Sequence, residues 1–410
     1  MNILDLIKNK TIYRNKYRTH NEAVIVSCFF NPTNSPYRLS AVNNFIKSIE
    51  HLNYRIIECV IGDSSPQLKG DNIDCVYTKD LLWHKEALIN KAISNLPKKY
   101  KYVFWLDADV IFTNKNWLVE SVRELKENNI LQPFEYCVHL EKDLYTPDFD
   151  LEYEKNKVFS KYKHPRLWRS FCSNYVKYRN FSGDEDYDFH GHVGFAWGAR
   201  REILEVMPLY DRALIGGADH IIAHAAAGHI NHKCIQKSFT ENIEEVNNWS
   251  EKFHRLINNK IGYVKGDLYH IWHGDIKNRQ YLKRIQDFTP KTKKMNTKDE
   301  NGLYVTDDLE AKDYMNNYFK NREVKPSFHI NKIPKQYVDL VNKKRYDLIC
   351  ENPGADDLFI DSLLIAYLTD SVAVGAIVGG SWLGALVGDS INNSDLDNVF
   401  LSDVNNENFS

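Results

Sequence analysis

Several features that would settle the class of this chain early are missing. Its seven cysteines, Cys28, Cys59, Cys75, Cys137, Cys172, Cys234 and Cys350, are scattered, odd in number and never arranged as CxxC. That pattern excludes a disulfide framework and an all-cysteine zinc site, and it suits a reducing compartment. Neither charge sign dominates, since 53 lysines and arginines face 55 aspartates and glutamates for a formal net charge of -2. A global attraction to nucleic acid or acidic lipid is therefore not expected. The N-terminal stretch MNILDLIKNKTIYRNKYRTHNEA lacks the continuous apolar core of a secretion signal, so a cytoplasmic location is expected. No glycine-rich phosphate loop follows the first apolar run, and no HExxH motif occurs.

What is present is a chain of 410 residues, 43% hydrophobic and 13% aromatic, long enough for a large catalytic domain with an appendage. AVIVSCFF (Ala23 to Phe30) reads as a buried strand followed by the turn-rich NPTNSPYR. Leu39, Val42, Ile46 and Ile49 recur at helical spacing, and YRIIECVIGD then reads as a second strand ending at Asp63. A further amphipathic helix, LLWHKEALINKAISNL, precedes the apolar strand YVFWL. Apolar strands separated by helices predict an α/β fold, with a mostly parallel sheet and helices on both faces. Ligands of such sheets bind beyond the carboxyl ends of the strands.

Asp107 and Asp109 stand at such an end. DxD strings also occur at Asp148/Asp150, Asp184/Asp186, Asp186/Asp188 and Asp395/Asp397, but only the first pair follows an unbroken apolar strand. Two carboxylates held so close repel unless a cation lies between them. Hard oxygen ligands suit Mg²⁺ or Mn²⁺, which commonly bridge carboxylates to a substrate diphosphate. Trp197 and Trp272 could stack on a sugar ring or serve as core aromatics. His220 and His224, four apart on an expected helix without the HExxH glutamate, read as a packed pair rather than a zinc site. On an extended strand His270 and His273 would point to opposite faces, so both could share a metal only across a turn.

VIVSCFF, VIGDSS, WHKEALINKA, FWLDADVIF, GFAWGARREILEVMPLYD, GGADHIIAHAAAGH and YHIWHGDIKNRQYLKR follow one another in this order. The series resembles the landmarks of nucleotide-sugar glycosyltransferases of the GT-A fold, closest to family 2-like inverting enzymes, from about Asn21 to Arg322. The resemblance implies that Asp63 contacts the nucleotide base and that Lys85 faces the diphosphate or the aspartate loop. It gives Asp107 and Asp109 to the metal and diphosphate, Asp219 to the catalytic base, and His273 or else His270 to completing the metal site. Asp219 departs from the acidic pair common in the family, since Ala218 precedes it. The implied activity is Mn²⁺- or Mg²⁺-dependent transfer from a nucleoside-diphosphate sugar, UDP favoured, to a glycan or other hydroxyl acceptor, with inversion. A retaining transferase and a noncatalytic sugar- or nucleotide-binding module are the alternatives.

The expected organisation is a leader over residues 1–20, a catalytic domain over 21–325, a linker over 326–357 and a C-terminal segment over 358–410. In that segment Gly375, Gly379, Gly380, Gly384 and Gly388 are spaced mostly four apart. Small residues at such intervals let helices approach closely. Asp370 interrupts the apolar run, leaving it short of the roughly 20 residues of a bilayer span. A glycine-zipper appendage is expected, for oligomerisation or for peripheral membrane contact.

Overall fold

In a computed structural model, β1 (Ala23–Phe29) is an interior strand of the main sheet and is buried along nearly its whole length. Residues 21–157, 164–178 and 190–322 are described. They belong to the first of the two units into which the chain divides, Met1–Val324 and Lys325–Ser410. The leader, the linker and the glycine-rich segment lie outside the described residues.

The remaining strands, in chain order, are β2 (Tyr54–Ile61), β3 (Ile73–Thr78), β4 (Tyr102–Asp107), β5 (Val110–Phe112), β6 (Ile130–Gln132), β7 (Tyr136–His139), β8 (Leu167–Arg169), β9 (Ala196–Arg200), β10 (Ile261–Tyr263), β11 (Asp267–His270) and a two-stranded pair, β12 (Thr297–Lys298) and β13 (Tyr304–Val305). Seven of them form one sheet in the order β10-β6-β9-β4-β1-β2-β3. β1 pairs in parallel with β2 and β4, whereas β9 runs antiparallel to both of its neighbours, β4 and β6. The α/β class and the mostly parallel sheet expected from the sequence are thus found.

Side-chain alternation along β1 divides the core. Val24 and Val26 pack on one face with Leu88, Trp105, Trp197 and Ile222. Ala23 and Ile25 pack on the other with Val42, Phe45, Phe104 and Leu118. Both faces carry helices, which is why these strands read as continuous apolar runs. A third apolar cluster joins Leu214, Ile215 and Phe239 to the Tyr281–Thr292 and Leu309–Arg322 helices through Ile285, Phe288, Met315 and Phe319.

A smaller sheet, in the order β5-β11-β7-β8, leans on the carboxyl edge of the large one. The chain enters it directly from β4, through Asp107, Ala108 and Asp109. Antiparallel pairing of β5 with β11 sets Val110 opposite His270, and the Ile271 N–H donates to the Asp109 carbonyl at 2.8 Å. Two stretches distant in sequence, the aspartate turn and the end of β11, are thereby fixed side by side. Among the described residues no helix is long and apolar enough to cross a membrane.

Candidate active site

Lys85 opens the Lys85–Asn95 helix. A cation there faces the positive end of the helix dipole and is buried as well, so it needs carboxylates. Its Nζ lies 2.7 Å from Asp107 Oδ1 and 3.1 Å from Asp219 Oδ2. Burial opposes the ammonium charge, but Asp107 and Asp219 hold the Lys85 pKa well above its ordinary value. Burial pushes the Asp107 carboxyl up to about 6 against the pull of Lys85, with Asp219 and Asp109 adding to the rise. Glu86, beneath the lysine, is pushed up to about 8, chiefly by burial.

Asp219 stands in the first turn of the Ala218–Ala226 helix. Gly217 precedes it at φ 102, and a Cβ there would come within 2.8 Å of Ile285 Cδ1. Glycine therefore permits both the turn and the close packing. Across the cavity, Phe195 adopts φ 78, a conformation that costs on the order of 1–3 kcal/mol in a non-glycine residue. Its ring stacks on His192 with centroids 4.0 Å apart, and its carbonyl accepts the Asp107 N–H at 2.7 Å. Packing thus over-determines the backbone that carries Asp107.

Asp109, His270 and His273 form a second constellation, with one donor atom of each within 4.8 Å of the others. His273 Nε2 lies 2.8 Å and His270 Nε2 3.6 Å from Asp109 Oδ2. Arg279 Nη2 also approaches the two Nε2 atoms, at 3.1 Å for His270 and 3.0 Å for His273. The carboxylate asks His273 Nε2 for a proton, while the guanidinium asks the same atom for a lone pair. No single tautomer answers both. A divalent cation between the carboxylate and the imidazole lone pairs would resolve the conflict, the carboxylate being a donor of the kind Mn²⁺ takes and the imidazoles donors of the kind transition metals take. The residues present fit such an ion. Burial, reinforced by the Arg279 charge, pushes the His273 imidazole down to about 3, leaving it neutral as a metal ligand must be. Burial penalises the Asp109 carboxylate, yet His270 and His273 beside it hold its pKa well below the usual range.

Lys85, Asp107, Asp109, Asp219 and His273 line one cavity of about 360 Å³, which also receives Arg38, Arg279, Arg284 and Arg322. Burial and the neighbouring Arg38 charge push Arg322 down to about 9. Arg284 lies over the Trp83 ring, 5.1 Å from its centroid, and hydrogen-bonds the Tyr318 hydroxyl. The cavity thus carries carboxylates and imidazole together with four guanidiniums, one of which, Arg279, sits against the imidazoles. Such a cavity accommodates an anion together with a cation.

Lys85, Asp107, Asp109, Asp219 and His273 are therefore brought together as expected candidates around one cavity. His270 joins Asp109 and His273 because β11 ends at this residue and the chain turns toward Gly274, at φ 129. The two histidines thus meet across a turn, the arrangement that sharing one metal requires. Asp63 is exposed in the turn after β2 and is not among the residues lining the cavity. Trp197 requires correction as a donor contact. It is 1% exposed, stacked on Trp105 across the β4–β9 pair with its Nε1 donating to the Val193 carbonyl at 2.8 Å. A sugar ring has no access to it. The arginine lining was not anticipated, although Arg279 and Arg284 lie inside the landmark KNRQYLKR.

No protein-family model matches the chain, and no curated protein matches it. Among solved structures, a mannosyltransferase of Pyrobaculum calidifontis in complex with GDP-Man and Mn²⁺ is 10% identical, over 93% of this chain and 88% of that one, with a TM-score of 0.33. Glucosyl-3-phosphoglycerate synthase of Mycobacterium tuberculosis, in complex with Mn²⁺, UDP and phosphoglyceric acid, is 13% identical over 70% of this chain and 80% of that one, with a TM-score of 0.34. A 4-diphosphocytidyl-2C-methyl-D-erythritol synthase of Anaerococcus prevotii is 10% identical over 65% and 95%, with a TM-score of 0.29. Scores this low decide nothing about activity, which rests on the residues of the cavity.

Proposed function

We propose that this chain is a metal-dependent glycosyltransferase that moves a sugar from a nucleoside-diphosphate donor, UDP favoured, to an acceptor hydroxyl with inversion. The observation that carries the reading is the convergence of Asp107, Asp109, His273, Lys85 and Asp219 on one arginine-lined cavity, with His270 completing the donor group around Asp109. Asp109, His270 and His273 would hold Mn²⁺ or Mg²⁺ beside Asp107. When bound, the ion supplies positive charge against the diphosphate leaving group.

The chain's own residues do the rest. Lys85, Arg279 and Arg284 orient the diphosphate and stabilise the charge that grows on it as the bond to the anomeric carbon breaks. Asp63, exposed at the same carboxyl edge, is available to the nucleobase. Asp219 accepts the proton of the acceptor hydroxyl, whose oxygen forms the new bond to the anomeric carbon. A single displacement of this kind inverts configuration. Asp219 Oδ2 lies 3.6 Å from the place a Cβ on Gly194 would take, so the missing side chain leaves room beside the base.

Incubation of the full chain with a panel of nucleotide sugars and hydroxyl acceptors, with and without Mn²⁺, tests the reading. Metal-dependent turnover giving inverted product, lost in Asp219→Asn, is the expected result. Donor binding without turnover across the panel would instead indicate a noncatalytic module, and retained configuration with an active Asp219→Asn would indicate a retaining enzyme.

A further inference from the structure

A second group of donor atoms lies buried between three segments far apart in sequence. His190 precedes the loop that lines the cavity, His224 sits on the inner side of the helix carrying Asp219, and Cys234 belongs to the short Lys233–Ser238 helix. One donor atom from each comes within 4.8 Å of the other two, and all three residues are buried. His224 Nε2 is 3.2 Å from Cys234 Sγ, and the His190 and His224 ring centroids are 4.9 Å apart. His190 Nδ1 lies 2.8 Å from the Gly191 carbonyl. A carbonyl only accepts, so Nδ1 carries the proton and Nε2 keeps the lone pair, as outer hydrogen bonds do for metal-bound histidines. The backbone there is fixed, because Gly191 has φ 87 and a Cβ on it would meet the Arg169 carbonyl at 2.8 Å.

We propose that His190, His224 and Cys234 form a zinc site, separate from the Asp109 group, that ties the cavity lining to the helix bearing Asp219. One thiolate with imidazoles is a donor set for zinc, whereas Mn²⁺ and Mg²⁺ prefer oxygen. Three protein ligands leave a fourth coordination position. His232 stands next to it in composition and place: its ring stacks on His224 with centroids 4.3 Å apart, and its Nδ1 is 3.0 Å from Cys234 Sγ. The ligands are unevenly spaced along the chain, so no short motif announces them. The site stands whether or not the chain transfers sugars, because its evidence is its own geometry.

Elemental analysis of the full chain, purified from zinc-supplemented cells and dialysed against a weak chelator, tests the proposal. About one zinc per chain should be retained, as structural sites retain it. Cys234→Ser and His224→Gln should lose it, while Asp109→Asn keeps it. Replacement of the zinc by Co²⁺ should give a thiolate-to-cobalt charge-transfer band that zinc abolishes. Should the variants fail to fold, that band in the unsubstituted chain decides. A folded chain that neither carries zinc nor shows the band overturns the proposal. Zinc retained by Cys234→Ser but lost from Asp109→Asn overturns it as well, by assigning the ion to the other group.

Discussion

Lys85 Nζ lies 3.2 Å from Asp219 Oδ1 and 3.1 Å from Oδ2, so a buried ammonium on one helix holds a carboxylate on the first turn of another. The same nitrogen touches Asp107. Replacing Lys85 with Met removes the positive charge and leaves the carboxylates uncompensated. The loss should be on the order of 3 kcal/mol, the scale seen when one partner of a buried pair is removed. A shift in the urea midpoint of the purified variant at neutral pH measures it. An unchanged midpoint would mean that solvent screens the pair.

Glu86 provides a pH signature. Its folded pKa is raised from 4.5 to about 8, so the folded state binds this proton more tightly than the unfolded chain does. The associated stability is fully present below about pH 4.5 and is lost as pH rises toward 8. Glu86→Gln, which keeps a neutral side chain at every pH, should flatten that decline. Denaturation curves of both proteins across the window should converge at its acid end and diverge toward pH 8.

Base and ligand should separate kinetically. Asp219→Asn should lower turnover by about 10²–10⁴-fold, as removal of a general base does, with nearly unchanged Mn²⁺ and donor affinity. His273→Ala should instead raise the Mn²⁺ concentration needed for half-maximal rate and recover partly with added metal. The opposite pattern, with Mn²⁺ rescuing only Asp219→Asn, would exchange the two roles.

Arg284 belongs to the cationic lining without touching the aspartates. Arg284→Met should reduce the stabilisation that UDP or inorganic diphosphate gives to thermal unfolding. A group that binds substrate and transition state alike changes KM more than kcat, so donor KM should rise more than kcat falls. Equal protection of both proteins by diphosphate would remove Arg284 from the anion site.

How far the sequence revealed this arrangement depends on the range of the interactions involved. β1 and β4 were legible because a strand covered on both faces is apolar nearly throughout, as AVIVSCF and YVFWL are, and the one exception, Ser27, donates its hydroxyl to the Leu106 carbonyl. The prominence of Asp107 and Asp109 followed from that. Trp197 was ambiguous because only the β4–β9 register, which sets it opposite Trp105, shows that it is interior. His270 and His273 could be paired from the sequence only on the condition of a turn, and periodicity does not show that β11 stops at the first of them. The grouping of His190, His224 and Cys234 depends on packing between three separate segments, and no periodicity encodes that.

The position of Arg279 carries a further consequence. Its guanidinium already shares the two Nε2 atoms that a divalent ion would take, so metal affinity here is a difference between two competing cations. A diphosphate that drew Arg279 away would relieve the competition, and the metal would bind more tightly in its presence. By thermodynamic reciprocity the donor would then bind more tightly in the presence of metal, by the same factor. The two ligands would behave as a cooperative pair, with Arg279 as the coupling between them.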